Sequence, residues 1–199
     1  MMPAGTAVLL EKFCFKLYAR DPGTIELDDA IPVFHRWIQN RTVQGMLIDV
    51  ADYRHVPDGP GVILIGHEAD YFLDRSEGPS GLLYSRKRMA EGSNVDRLRA
   101  GLGHALRACL ALEREAEFAD LGLEFAGERL RFVVNDRLAA PNDDETLQRL
   151  QPDVETVVRE VYPGDPVRIE REAADPRGRF TLHITASKPN DVATLVERL

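Results

Sequence analysis

Two histidine–aspartate pairs lie close together between residues 49 and 74. His55 is followed three residues later by Asp58, and His67 is followed by Asp70 at the same spacing. Imidazole and carboxylate groups are ligands that suit Zn²⁺, Mn²⁺ or Fe²⁺. A histidine held by a carboxylate can also transfer protons near neutral pH. These four residues are therefore the candidate catalytic residues.

The spacing of these residues matches no strong catalytic or metal-binding signature. GHEAD at 66–70 is not an HExxH motif, and no G-x-S-x-G motif occurs in the chain. The structural alternative stays open, because aspartates beside glycine and proline commonly cap turns through backbone N–H groups. The sequence assigns no metal site, and the cofactor stays unknown.

The segment HVPDGPG at 55–61 predicts a loop between two strands. Its two prolines cannot donate hydrogen bonds to a sheet, and its glycines permit close backbone approach. Loops at the end of a sheet commonly carry ligand-binding residues. The candidate ligand-binding residues are Arg54, His55, Asp58, Gly59, Gly61 and Glu68.

One short strand is predicted between the two histidine–aspartate pairs. If 62–65 forms that strand, the pairs lie at its opposite ends, ~13 Å apart. That separation is long for a single metal centre unless the loop folds back.

Hydrophobic periodicity predicts strands and a helix in the first half. Phe13, Phe15 and Leu17 alternate with less apolar residues, which is typical of a half-buried strand. Asp28 and Asp29 should open a helix with Pro32 in its first turn. Further strands are predicted at 46–53, 61–66 and 81–85.

The second half begins with the longest predicted helix, which Ser93 and Asp96 should start as a near capping box. A hairpin is predicted within 123–135, turning at 126–128, and is followed by a helix that Pro152 should kink or restart. Strands at 166–172 and 179–186 should pair, and a short helix should end the chain. The apolar face of the longest helix is predicted to contain Leu98, Leu102, Ala105, Cys109 and Leu112.

These elements predict an α+β fold, a two-layer sandwich with a mixed or antiparallel sheet and amphipathic helices on one face. We expect a single domain over 1–199. Units 13–85 and 130–187 resemble each other as β-α-β-β segments joined by a central helix at 94–118. The absence of G-x-G-x-x-G and G-x-x-x-x-G-K-[ST] motifs disfavours Rossmann and P-loop folds.

The composition is typical of a globular protein and disfavours nucleic-acid and membrane partners. Hydrophobic residues make up 44% and charged residues 29%, enough apolar surface for a full core. The net charge of −8 disfavours a nucleic-acid partner, which needs a basic surface. The N-terminal apolar run is interrupted by Glu11 and Lys12, so it predicts neither a signal peptide nor membrane association. A cytoplasmic location is expected.

Two functional hypotheses follow. The preferred one is a binding or assembly module that associates with itself through an exposed apolar edge or sheet face, since homodimers are the commonest soluble oligomers. Its partners would be a second copy and a small-molecule ligand. The alternative is a metal-assisted or acid–base enzyme centred on the segment from His55 to Asp70.

Overall fold

A computed structural model describes residues 8–76, 78–173, 175 and 177–199. Within these residues the strands are β1 (Phe13–Ala19), β2 (Leu47–Tyr53), β3 (Gly61–Gly66), β4 (Ala69–Asp74), β5 (Gly81–Arg86), β6 (Phe125–Val134), β7 (Val167–Arg171) and β8 (Thr181–Ala186). The helices are α1 (Leu27–Asn40), α2 (Asn94–Glu113), α3 (Ala116–Ala119), α4 (Asp144–Val161) and α5 (Val192–Glu197). None of these helices has the length and apolar character needed to cross a membrane.

The strands form one eight-stranded antiparallel sheet in the order β2-β3-β4-β5-β1-β6-β8-β7. The predicted α+β sandwich is therefore confirmed. The two halves follow a similar path around the central pair β1 and β6. Each central strand is followed by a helix that leads to an outer strand, and later strands return to the centre. The first half returns through three strands and the second half through one.

The core lies between the sheet and its helices. Phe13, Phe15 and Leu17 belong to this core, as the alternation predicts. Helix α1 contacts β2 and β3, whereas α2 contacts β1 and β5 and supports α4 and α5. The aligned positions Leu83, Lys16, Arg131 and His183 lie on the opposite side of the sheet.

The start of α2 confirms the sequence prediction. The Ser93 hydroxyl accepts a hydrogen bond from the backbone N–H of Asp96, and the Asp96 carboxylate accepts from the backbone N–H of Ser93. All five predicted apolar-face residues are buried. The predicted helix over 94–118 is nevertheless two helices, because the chain turns at Arg114 and Glu115.

Two strand predictions were wrong. The expected hairpin turn at 126–128 is part of the continuous strand β6. Gly127 N–H donates to Asn190 O (3.1 Å), so a contact with a distant segment holds this stretch extended. The missed strand is β4, in which Ala69, Tyr71 and Leu73 are buried. Asp70 and Asp74 made this segment resemble a polar loop.

Pro32 does not lie in the first helical turn, where it was expected, and Pro152 does not restart its helix. Pro32 lies in the second turn of α1, since the helix begins at Leu27. Pro152 lies inside α4, which continues to Val161 without restarting. Leu150 before this proline and Val154 and Val157 after it are all buried, so one face of α4 contacts the core on both sides of Pro152.

Candidate functional site

The two histidine–aspartate pairs lie at opposite ends of β3. His55 and Asp58 are exposed on the β2–β3 connection, whereas His67 lies in the β3–β4 turn and Asp70 near the start of β4. A six-residue strand spans about 17 Å. The sheet therefore holds the two pairs apart and does not bring them into one centre.

The β2–β3 loop has a clear structural role. Asp58 has a left-handed backbone (φ 54°), and Gly59 N–H donates to Val56 O (3.0 Å). Gly61 also has positive φ (74°), and a side chain there would meet Leu73 O at 2.2 Å. The positive φ angles of Asp58 and Gly61 let the loop close onto the sheet, whereas His55 remains exposed to solvent.

The Arg54 guanidinium forms ion pairs with two neighbouring carboxylates. Its Nη2 lies 2.7 Å from an oxygen of Asp52, and its Nη1 pairs with Asp28 at the start of α1. The guanidinium therefore ties the β2 end to α1. This arrangement gives the predicted ligand residue a structural role.

At the other end of β3, the residues form different pairs from those predicted. His67 Nδ1 lies 3.0 Å from Glu68 Oε1, and this hydrogen bond lowers the pKa of Glu68. Asp70 accepts instead from Lys87 Nζ (2.8 Å) and from Gly66 N–H (3.1 Å). His67 and Glu68 are thus the predicted residues that could act as an acid–base couple. Among the described residues, no group of three or more His, Cys, Asp or Glu side chains is arranged to hold a metal ion.

A cavity of 170 Å³ lies beside this turn, and sequence reasoning missed it. It is here named the Tyr84 cavity. Residues 44–47 form one side, the β3–β4 turn forms another, and β5 and α2 complete it. The lining residues are Gln44, Gly45, Met46, Leu47, Gly66, Glu68, Ala69, Tyr84, Arg86 and His104.

The lining of the Tyr84 cavity combines neutral and charged groups. Burial lowers the pKa of His104 to about 4, with the positive charges of Arg107 and Arg86 adding to the effect. Burial raises the pKa of Tyr84, although Arg86 opposes that rise. Neutral imidazole and phenol groups therefore face a guanidinium from Arg86 and a carboxylate from Glu68. The sequence did not indicate that His104 lines a cavity, because this histidine lies between small residues within a helix.

The outer edge of β2 is the second candidate site. Met46, Ile48, Tyr53 and Val56 are four of the eight large apolar side chains that are exposed among the described residues. No described strand pairs with this outer edge. These four residues and the backbone of β2 are here named the edge surface. Exposed apolar residues on and beside an unpaired edge strand make this edge a candidate for strand pairing.

Comparison of the chain with protein-family models, curated proteins and solved structures finds no match in any of the three.

Proposed function

We propose that this protein is a binding and assembly module that forms a homodimer by antiparallel pairing of β2 with β2 of a second copy. The observation that carries the proposal is the edge surface, which combines an unpaired strand with half of the exposed large apolar side chains. Pairing would supply backbone hydrogen-bond partners and cover apolar side chains.

The residues of β2 support a two-fold pairing centred on Val50. In this register Asp49 lies opposite Ala51, and Ile48 lies opposite Asp52. This register therefore places no carboxylate directly opposite another, an arrangement that would destabilise the pair. The two copies would use the same surface, as a closed two-fold dimer requires.

The Val50 N–H donates to the side chain of its neighbour Asp49 (2.8 Å). Asp49 thus satisfies a backbone donor on an edge strand and also adds negative charge there. A strand carbonyl from the second copy would compete with this carboxylate. Asp49 is therefore expected to limit the affinity of the dimer.

The opposite edge of the sheet explains why assembly would stop at two copies. Strand β7 has only five residues, and its exposed side chains Arg168 and Glu170 form an ion pair (2.5 Å). Short, charged edge strands resist further pairing. One edge strand that can pair in each copy gives a closed dimer, whereas two such edge strands would give open filaments.

Sedimentation equilibrium of the full chain tests the proposal. The wild type should be a dimer whose association strengthens with added salt, because salt screens repulsion between chains of net charge −8. Ile48→Lys should give a monomer, and Asp49→Ala should tighten the dimer by about tenfold. Met89→Lys is the matched control, since Met89 is similarly exposed but follows β5, which is separated from β2 by β3 and β4. A wild-type monomer at all concentrations, or a dimer unaffected by Ile48→Lys, would disprove edge pairing.

A further inference from the structure

Tyr84 lines the Tyr84 cavity, and its buried hydroxyl has no hydrogen-bond acceptor among the described residues. The residue is 1% exposed, and the Arg86 guanidinium approaches its oxygen as a donor, which lowers the pKa of Tyr84 against the effect of burial. Its ring contacts those of Tyr71 and His104, at centroid distances of 5.4 and 5.6 Å. These rings fix the hydroxyl in place. A buried donor without an acceptor is unfavourable, so an acceptor that enters the cavity would be stabilised.

Arg86 supplies the positive charge of the cavity. Its Nε donates to Arg88 O (2.8 Å), and no described carboxylate forms an ion pair with its guanidinium. Arg107 adds positive charge close by, since it lies one turn after His104 on α2 and acts on both His104 and Tyr71. The remaining N–H groups of Arg86 suit an oxyanion, which accepts two parallel hydrogen bonds from a guanidinium.

The rest of the lining limits which oxyanion fits. Met46, Leu47 and Ala69 form an apolar wall, which suits the hydrocarbon part of an organic acid. The Glu68 carboxylate also borders the cavity and is held by His67 Nδ1 (3.0 Å). This negative charge disfavours a dianion such as phosphate more strongly than a monoanion. A volume of 170 Å³ admits only a small molecule.

We propose that the Tyr84 cavity binds a small organic monocarboxylate. The carboxylate accepts hydrogen bonds from the guanidinium of Arg86 and the hydroxyl of Tyr84, and the apolar part of the ligand contacts Met46, Leu47 and Ala69. The site overlaps the edge surface only at Met46 and Leu47, whereas Tyr84 and Arg86 lie on β5. Binding of the acid and dimerisation are therefore separate properties that separate experiments can test.

Sodium butyrate is the probe, titrated into ¹⁵N-labelled full-length protein at constant ionic strength. Saturable amide shifts are expected at Gly66, Glu68, Tyr84 and His104, with a Kd on the order of 1 mM for so small a ligand. Butyramide has nearly the same shape without the charge and should bind at least about tenfold more weakly. Inorganic phosphate should also bind more weakly than butyrate.

Variants identify the groups responsible. Arg86→Gln should weaken butyrate binding by about tenfold or more, and Tyr84→Phe by about threefold. Arg88→Gln is the matched control, because Arg88 lies two residues away and donates to His67 O instead (3.0 Å). The amide spectrum of each variant reports whether it keeps the fold.

Three results would overturn the assignment. They are equal binding of butyrate and butyramide, butyrate binding that Arg86→Gln leaves unchanged, and phosphate binding tighter than butyrate. Absence of saturable shifts in the wild type up to about 50 mM butyrate would also end it.

Discussion

Lys16 Nζ lies 2.5 Å from Asp74 Oδ2, and the two side chains are 0% and 5% exposed. They belong to β1 and β4, which are not neighbours because β5 runs between them. Gly81 of β5 is aligned with Asp74 and has no side chain to obstruct the contact. Lys16 also donates to Ser76 O (2.7 Å), so the pair joins the β4–β5 connection to the centre of the sheet.

Asp74→Ala should destabilise the protein by about 3 kcal/mol, because the lysine charge stays buried and loses its carboxylate. The double variant Lys16→Met/Asp74→Ala should recover a large part of that loss, since it removes the charge as well. Urea denaturation of both variants and the wild type measures the difference. An Asp74→Ala unfolding free energy within about 1 kcal/mol of wild type would contradict this role.

Glu115 connects α1 to the start of α3. One of its carboxylate oxygens accepts from Trp37 Nε1 (2.6 Å), and the other accepts from Arg36 Nη2 (2.7 Å). Trp37 is fully buried. Glu115→Ala should therefore cost about 2 kcal/mol, because it leaves the indole N–H without an acceptor.

Two further substitutions separate this hydrogen bond from surface charge pairing. Glu115→Gln keeps an oxygen acceptor for Trp37 and should cost less than Glu115→Ala. Glu117→Ala removes a bidentate partner of Arg36 near the surface and should cost no more than about 1 kcal/mol. Thermal and urea unfolding give the order, and a larger loss for Glu117→Ala than for Glu115→Ala would refute it.

The elements that were predictable from sequence are those whose signals are local. The alternation of Phe13, Phe15 and Leu17 and the capping box of Ser93 and Asp96 depend only on residues a few positions apart. The extended shape of β6 depends instead on pairing with β1 and β8 and, at Gly127, on a hydrogen bond to Asn190, 63 residues later in the chain. No local pattern reports such a contact.

The candidate sites show the same division. Proline and glycine spacing predicted that the two histidine–aspartate pairs would lie at opposite ends of a strand, as they do. The Tyr84 cavity gathers residues from four separate segments, so it exists only after the chain has folded. Strand order likewise decides that β2 is an edge, and that order is not encoded in the pattern of β2 alone.

Two glycines on α2 should respond to alanine in opposite directions. A methyl group at Gly101 would lie 2.5 Å from the Phe13 ring, whereas at Gly103 it would meet only the flexible end of Arg107 (3.0 Å). Gly101→Ala should cost about 1–3 kcal/mol through overpacking. Gly103→Ala should stabilise by about 0.5–1 kcal/mol through helix propensity. Chemical denaturation checks both signs, and stabilisation by Gly101→Ala would show that Phe13 can move aside.

His104 should make stability depend on pH. Its pKa is about 4 in the folded protein and about 6.5 when unfolded, so between these values the unfolded chain binds more protons. The unfolding free energy should therefore fall as pH decreases from about 7 to 4, by about 1–2 kcal/mol from this group after allowance for its partial exposure. His104→Phe retains a ring against Tyr84 and should remove this part of the slope. His35→Gln on the exposed side of α1 is the control and should keep the wild-type slope. Urea denaturation from pH 7 to 4.5 measures all three proteins, and parallel curves for wild type and His104→Phe would show that His104 is not held neutral by the fold.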